Sequence, residues 1–180
     1  MKQISGLLYV ATGLVCDFVF AVMVGAMLGM TTAVYSLAGF LRTPMICLGP
    51  SLLVLTGVAI LIGGSRRFTE YVVTSVVVLA GLAAWSVPKI GWQDTAWLFL
   101  YPEAASLLGA VVLLLLFRKL WIAALIGTLL SAPFFAYTAV VLFRAHMHGA
   151  VGNRLEYASI AVPLMFLLAS LITSLFVRTA

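Results

Sequence analysis

Charge is what this chain has least of. Of 180 residues, ten are Lys or Arg and five are Asp or Glu, 8% in all, against 64% hydrophobic. With a mean hydropathy of +1.23, that balance excludes an ordinary soluble globular domain and points to an integral membrane protein. The net charge of +5 comes from basic residues scattered at the ends of apolar runs. Such charges set topology and meet lipid headgroups, so no nucleic-acid partner is expected.

Cysteine is nearly as scarce. Cys16 and Cys47 are the two in the chain; they form no CxxC pair, which excludes a disulfide framework or a metal knuckle. Each reads as a small buried apolar residue. Val15, before Cys16, is too bulky for a lipoprotein signal, and Asp17 lies inside an apolar run too long for a cleavable leader.

The sequence has no glycine-rich phosphate loop, no HExxH and no paired catalytic carboxylates. Both histidines, His146 and His148, share one inter-run stretch. A haem clamped between helices needs histidines on two of them, and an intramembrane serine nucleophile needs a base within an apolar run. No cofactor is expected, and an enzyme is the least favoured class.

What the chain does have is length of apolar run. About 20 such residues span a bilayer core, and six segments qualify: residues 6–28, 45–62, 71–87, 97–117, 120–143 and 155–177. The runs are too long for strands and lack polar alternation. The expected fold is all-α, a single-domain bundle of six transmembrane helices over residues 1–180. Lys2, Arg66, Arg67, Arg118, Lys119 and Arg178 fall on one side, and Arg42, Lys89, Arg144 and Arg154 on the other. That bias, with its two tight doublets, puts both termini in the cytoplasm, in a plasma (inner) membrane. Trp85, Trp92, Trp97 and Tyr101 gather near the third break, as an interfacial aromatic belt would.

The first apolar stretch is longer than one span. One reading makes residues 6–28 the span and 29–42 an interfacial piece. The other makes residues 18–41 the span and lays the first 16 along the headgroups. Ile4, Leu7, Leu8, Ala11, Leu14 and Val15 fall on one helical face, and Ser5, Gly6, Thr12, Gly13 and Asp17 on the other. Pro50, Pro102, Pro133 and Pro163 fall inside apolar runs, where neighbouring helices must satisfy the freed carbonyls.

Steps of four from Gly13 give Gly13, Asp17, Ala21, Gly25 and Gly29. Small residues at that spacing let helix backbones approach closely, within the chain or against another membrane subunit. Asp17 interrupts the stripe. An ionised Asp at a helix centre costs about 2.5–3.5 kcal/mol on insertion scales, and no basic residue sits at matching depth. It is expected to be neutral, to hold a cation, or to meet a hydroxyl such as Thr12, Thr56, Thr74, Ser75 or Tyr137. Two roles follow: a protonation or coupling site, or hydrogen-bonded glue between helices.

Glu103 also has two readings. Pro102 suits the first position of a helix, and Glu103 would then face the favourable end of its dipole. Otherwise it is an acid lining an outward-facing cavity. His146 and His148 read as solvated loop residues; a metal there would need Glu156 or Asp94 as well.

In helix number, size and the stripe Gly13, Ala21, Gly25 and Gly29, the chain resembles the substrate-binding membrane components of energy-coupling-factor transporters. The resemblance is architectural and carries no ligand motif. It implies docking through the first helix, at a face that Asp17 interrupts here. The leading expectation is transport of a small solute or ion with Asp17 as coupling site. The others are an accessory subunit packed against a larger membrane complex, and a lipid-directed enzyme using Glu103 and the histidines.

Overall fold

The structure is a computed structural model that describes residues 2–28, 37–63, 68–117, 119–130 and 132, with positions 168 and 172. All regular structure among them is helical. Helix α1 is Lys2–Leu28, α2 is Leu37–Leu61 and α3 is Phe68–Ile90. Helix α4 runs over Trp92–Leu116 and α5 over Leu120–Leu130. The side chains of residues 18–28 and 37–43, the whole of 29–36, and nearly all of the fifth and sixth expected spans beyond residue 130 lie outside the described residues. So do Gly29, Pro163, His146 and His148, and Ala21 and Gly25 are described in backbone alone.

Among the described residues two helices, α3 and α4, are long and apolar enough to cross a membrane. They meet at one residue. Gly91 has φ +84°, a left-handed conformation that glycine adopts without a Cβ clash. The break expected over residues 88–96 is therefore a single-residue corner. Pro88 lies inside α3 rather than ending it, and α4 begins at Trp92 rather than at residue 97. Lys89 Nζ sits 3.8 Å from the Trp85 ring centre, and Trp85 meets Phe99 edge-on at 6.1 Å. These contacts brace the corner.

Helix α2 also starts earlier than the apolar run implied. Residues 37–42 belong to it, because nothing in "LAGFL" stops a helix before Pro44. Pro44 and Pro50 both lie inside α2. Each removes one backbone donor, so Pro50 leaves the Ile46 carbonyl without its helical partner.

Helix α2 is the centre of the packing. Leu52, Leu55 and Ala59 pack with Tyr71 of α3, Leu107, Ala110, Val111 and Leu114 of α4, and Ala123 of α5. Leu53 turns the other way, onto Tyr9 and Cys16 of α1 and Ala124 of α5. Helices α1 and α2 approach until backbones touch. A Cβ on Gly57 would lie 2.6 Å from the Gly6 carbonyl oxygen, and one on Gly13 would lie 2.7 Å from that of Pro50.

The buried face of α1 is its polar, small one. Ser5 and Thr12 are buried, whereas Ile4 and Leu7 are 65% and 62% exposed. The helix therefore packs inside out relative to a soluble amphipathic helix. Residues 2–28 form one continuous helix, and its first half lies along α2. Gly6 and Gly13 allow a close contact there that only small residues permit.

Candidate functional site

Asp17, Cys47 and Glu103 come from three different helices, and their donor atoms lie within 4.8 Å of one another. Asp17 stands one turn beyond Gly13, whose close contact with α2 sets how near α1 can come. Cys47 precedes Pro50 by three residues in the loosened turn of α2. Glu103 is placed by an irregularity in α4. Residues Ala96–Leu100 form a π-helical stretch immediately before Tyr101 and Pro102. The Pro102 ring would press on the carbonyl of Leu98 in a regular α-helix, and the wider turn relieves it.

The helix-start reading of Glu103 is thereby corrected. The backbone is already helical from Trp92, so the Glu103 carboxyl faces no free helix terminus. It is 3% exposed and points between the helices. Ser51 Oγ lies 3.0 Å from Glu103 Oε1, 2.8 Å from the Cys47 carbonyl oxygen and 2.8 Å from Ser106 Oγ. Ser106 Oγ in turn can donate to the Glu103 carbonyl oxygen at 2.8 Å. Each hydroxyl has one proton to give. Ser51 can therefore donate to an ionised Glu103 or, when Glu103 holds its own proton, turn to the Cys47 carbonyl.

Asp17 has no such support. Both of its carboxylate oxygens are buried and without a hydrogen-bond partner among the described residues. Among the hydroxyls expected to serve it, none of Thr56, Thr74 and Ser75 bonds it. Thr74 and Ser75 donate to carbonyls of their own helix, those of Glu70 and Tyr71. Thr56 Oγ1 is itself buried without a partner among the described residues, and Tyr137 lies outside them. The serines that the site uses, Ser51 and Ser106, support Glu103 instead. Their signal in the sequence is weak: a serine in an apolar run commonly bonds its own helix.

Two ionised carboxylates within 4.8 Å would repel by about 3.5 kcal/mol or more at an effective dielectric of ~20. The pair is balanced either by a proton or by a cation between the two groups. Cys47, read from sequence as an apolar filler, is a buried free thiol with its sulfur facing that pair. A candidate donor set of two oxygens and one sulfur is present, recruited from positions too far apart for any spacing motif.

The pair opens onto a cavity of about 640 Å³ bounded by α1, α2, α3 and α4. Asp17, Cys47 and Glu103 are at its wall, with Val54, Trp85 and Phe99 among the residues around it. Its volume falls in the range of small-molecule sites, roughly 300–1,000 Å³. Gly81 of α3 also lines it, and a Cβ there would meet nothing within 4 Å. No protein family, curated protein or solved structure matches the chain.

Proposed function

We propose that the chain is an integral membrane protein that carries a small solute across the bilayer, with Asp17 and Glu103 as its protonation and coupling pair. The observation that carries this reading is the partnerless Asp17 carboxyl, buried beside Glu103 at the wall of a cavity of small-molecule size. A carboxyl group left without a hydrogen-bond partner costs free energy on every folded molecule. Glue between helices would satisfy it; a site that exchanges a proton for a ligand leaves it waiting.

Three features favour a lipid surround. The apolar helix α3 buries only 11% of its most hydrophobic stretch, which does not fit the core helix of a soluble domain. Val73, Val76 and Val77 are each more than half exposed. Helix α1 turns its apolar face outward. In this reading six helices span the membrane with both termini cytoplasmic, and solute entry displaces a carboxyl proton. An accessory subunit would share the apolar surface and the close α1–α2 contact, but would have no use for the acid-walled cavity.

Proteoliposomes enclosing a pH-sensitive dye test the proposal. A panel of amines, amino acids, sugars and carboxylates is added outside under an imposed pH gradient. At least one solute class is expected to drive proton movement that Asp17→Asn and Glu103→Gln each abolish. Proton movement undiminished in Asp17→Asn, or a wild-type protein silent to the panel and recovered only with a tightly bound membrane partner, would overturn it.

A further inference from the structure

Resting on that carrier reading, we infer that the solute is a lipophilic amine in its protonated form. Its ammonium group sits between Asp17 and Glu103, and its apolar body fills the cavity. The two carboxyl groups supply the charge. Glu103 is held by Ser51 at 3.0 Å, whereas Asp17 has no hydrogen-bond partner among the described residues, Glu103 included. They stand apart, yet within 4.8 Å. An ammonium nitrogen bonded at about 2.8 Å to each of two carboxylate oxygens holds those oxygens roughly 4.6 Å apart. The oxygens left open at Asp17 are both acceptors only when ionised, which is what an N–H-bearing cation requires.

The cavity supplies the second half of the recognition. Away from the acids its wall is made largely of Val, Leu and aromatic side chains. Such a wall gains from an apolar body and gives nothing to a sugar, an amino acid or a hydrated ion. Trp85 and Phe99 meet edge-on at 6.1 Å and offer ring surface to a flat or branched hydrocarbon.

A bare divalent cation is the competing occupant, since Cys47 completes a two-oxygen, one-sulfur donor set suited to a zinc-like ion. It would draw its ligand atoms to roughly 3.4 Å from one another, closing three helices around itself. It would also leave the 640 Å³ beyond it without a purpose. The amine uses the whole space, and the thiol then stands beside the ammonium as a weak acceptor.

Calorimetric titration of the purified chain in non-ionic micelles at neutral pH tests the inference, with protein-free micelles subtracted. The probes are 3,3-diphenylpropylamine and its neutral counterpart 3,3-diphenylpropanol. The amine is expected to bind at least tenfold more tightly than the alcohol, and Asp17→Asn and Glu103→Gln each to lower that preference about tenfold or more. The amine-to-alcohol ratio is read on the wild type, so it does not depend on any variant folding. Gly81→Leu, which projects a side chain into open space rather than against packed atoms, is expected to abolish amine binding while thermal stability is kept. Equal binding of amine and alcohol would overturn the inference, as would no binding. So would a sulfur-to-cadmium absorption band that appears on adding Cd²⁺, vanishes in Cys47→Ser and is untouched by the amine. If another solute drives proton movement in liposomes while the amine fails to bind, the solute class is wrong and the carrier reading stands. If the amine binds while no solute moves protons, the carrier reading falls and the amine site stands.

Discussion

Gly13→Ala and Gly81→Ala add the same methyl group to two helix interiors, and the structure assigns them opposite outcomes. At Gly13 the new Cβ would lie 2.5 Å from Val54 Cγ2, 2.7 Å from the Pro50 carbonyl oxygen and 2.9 Å from the Val54 nitrogen. The Val54 methyl can rotate away, but the other two atoms are backbone. An ordinary carbon–oxygen contact is about 3.3 Å, so α1 must retreat roughly 0.6 Å along a tightly packed seam. Overpacking of this kind costs about 1–3 kcal/mol, offset by up to ~1 kcal/mol of improved helix propensity. A net loss of up to about 2 kcal/mol is expected. At Gly81 a Cβ meets nothing within 4 Å, so the propensity gain stands alone and the variant is as stable as wild type or slightly more so. Unfolding by dodecyl sulfate titrated into non-ionic micelles, followed by tryptophan fluorescence, measures both. The retreat also carries Asp17, one turn away, back from Glu103, so Gly13→Ala should weaken amine binding as well. Equal stability of the two variants would refute the backbone contact between α1 and α2 and, with it, the placement of Asp17.

Three further outcomes follow from the same geometry. Ser51→Ala removes the donor 3.0 Å from Glu103 Oε1 and should lower stability by about 1–2 kcal/mol, with a loss of amine binding larger than that of an alanine at Ser75, which serves only its own helix. Cys47 lines the cavity, so in a Cys16→Ser background its alkylation by N-ethylmaleimide should slow when 3,3-diphenylpropylamine is bound; an unchanged rate would place the amine elsewhere. Pro102→Ala removes the ring that the π-helical stretch accommodates, and α4 should regularise and turn Glu103 out of register. Amine binding is expected to fall while resistance to dodecyl sulfate holds or rises, and loss of both together would argue against that origin for the irregular turn.

The legible part of this molecule is the part written in single residues. A lone acid in an apolar run singles out Asp17, and a glycine four residues before it singles out a contact face; Gly13 makes such a contact in the structure. The all-helical character of the described residues follows from run length. What stayed hidden depends on tertiary placement. Cys47 looks like any small apolar residue until two acids from other helices face it. Ser51 becomes a support for Glu103 only because α2 and α4 cross at that level. Gly6 and Gly57 meet across two helices, which no within-helix spacing can show. Glu103 was ambiguous for a different reason: proline marks both a helix start and a tolerated irregularity, and only a continuous backbone through Trp92–Leu116 separates the two.

The inverted face of α1 has a consequence for how the chain is made. On the proposed membrane reading α1, made before α2, would enter lipid with Ser5, Thr12 and Asp17 exposed on one side and its most apolar residues on the other. Its small, polar face is covered by α2 and the cavity wall, both encoded later. The two helices are therefore expected to enter the bilayer together as a hairpin, with α1 waiting at the insertion machinery until residues near Gly57 have emerged. A ribosome-stalled chain ending before α2 should then remain extractable by alkali, whereas one ending after Leu61 should not.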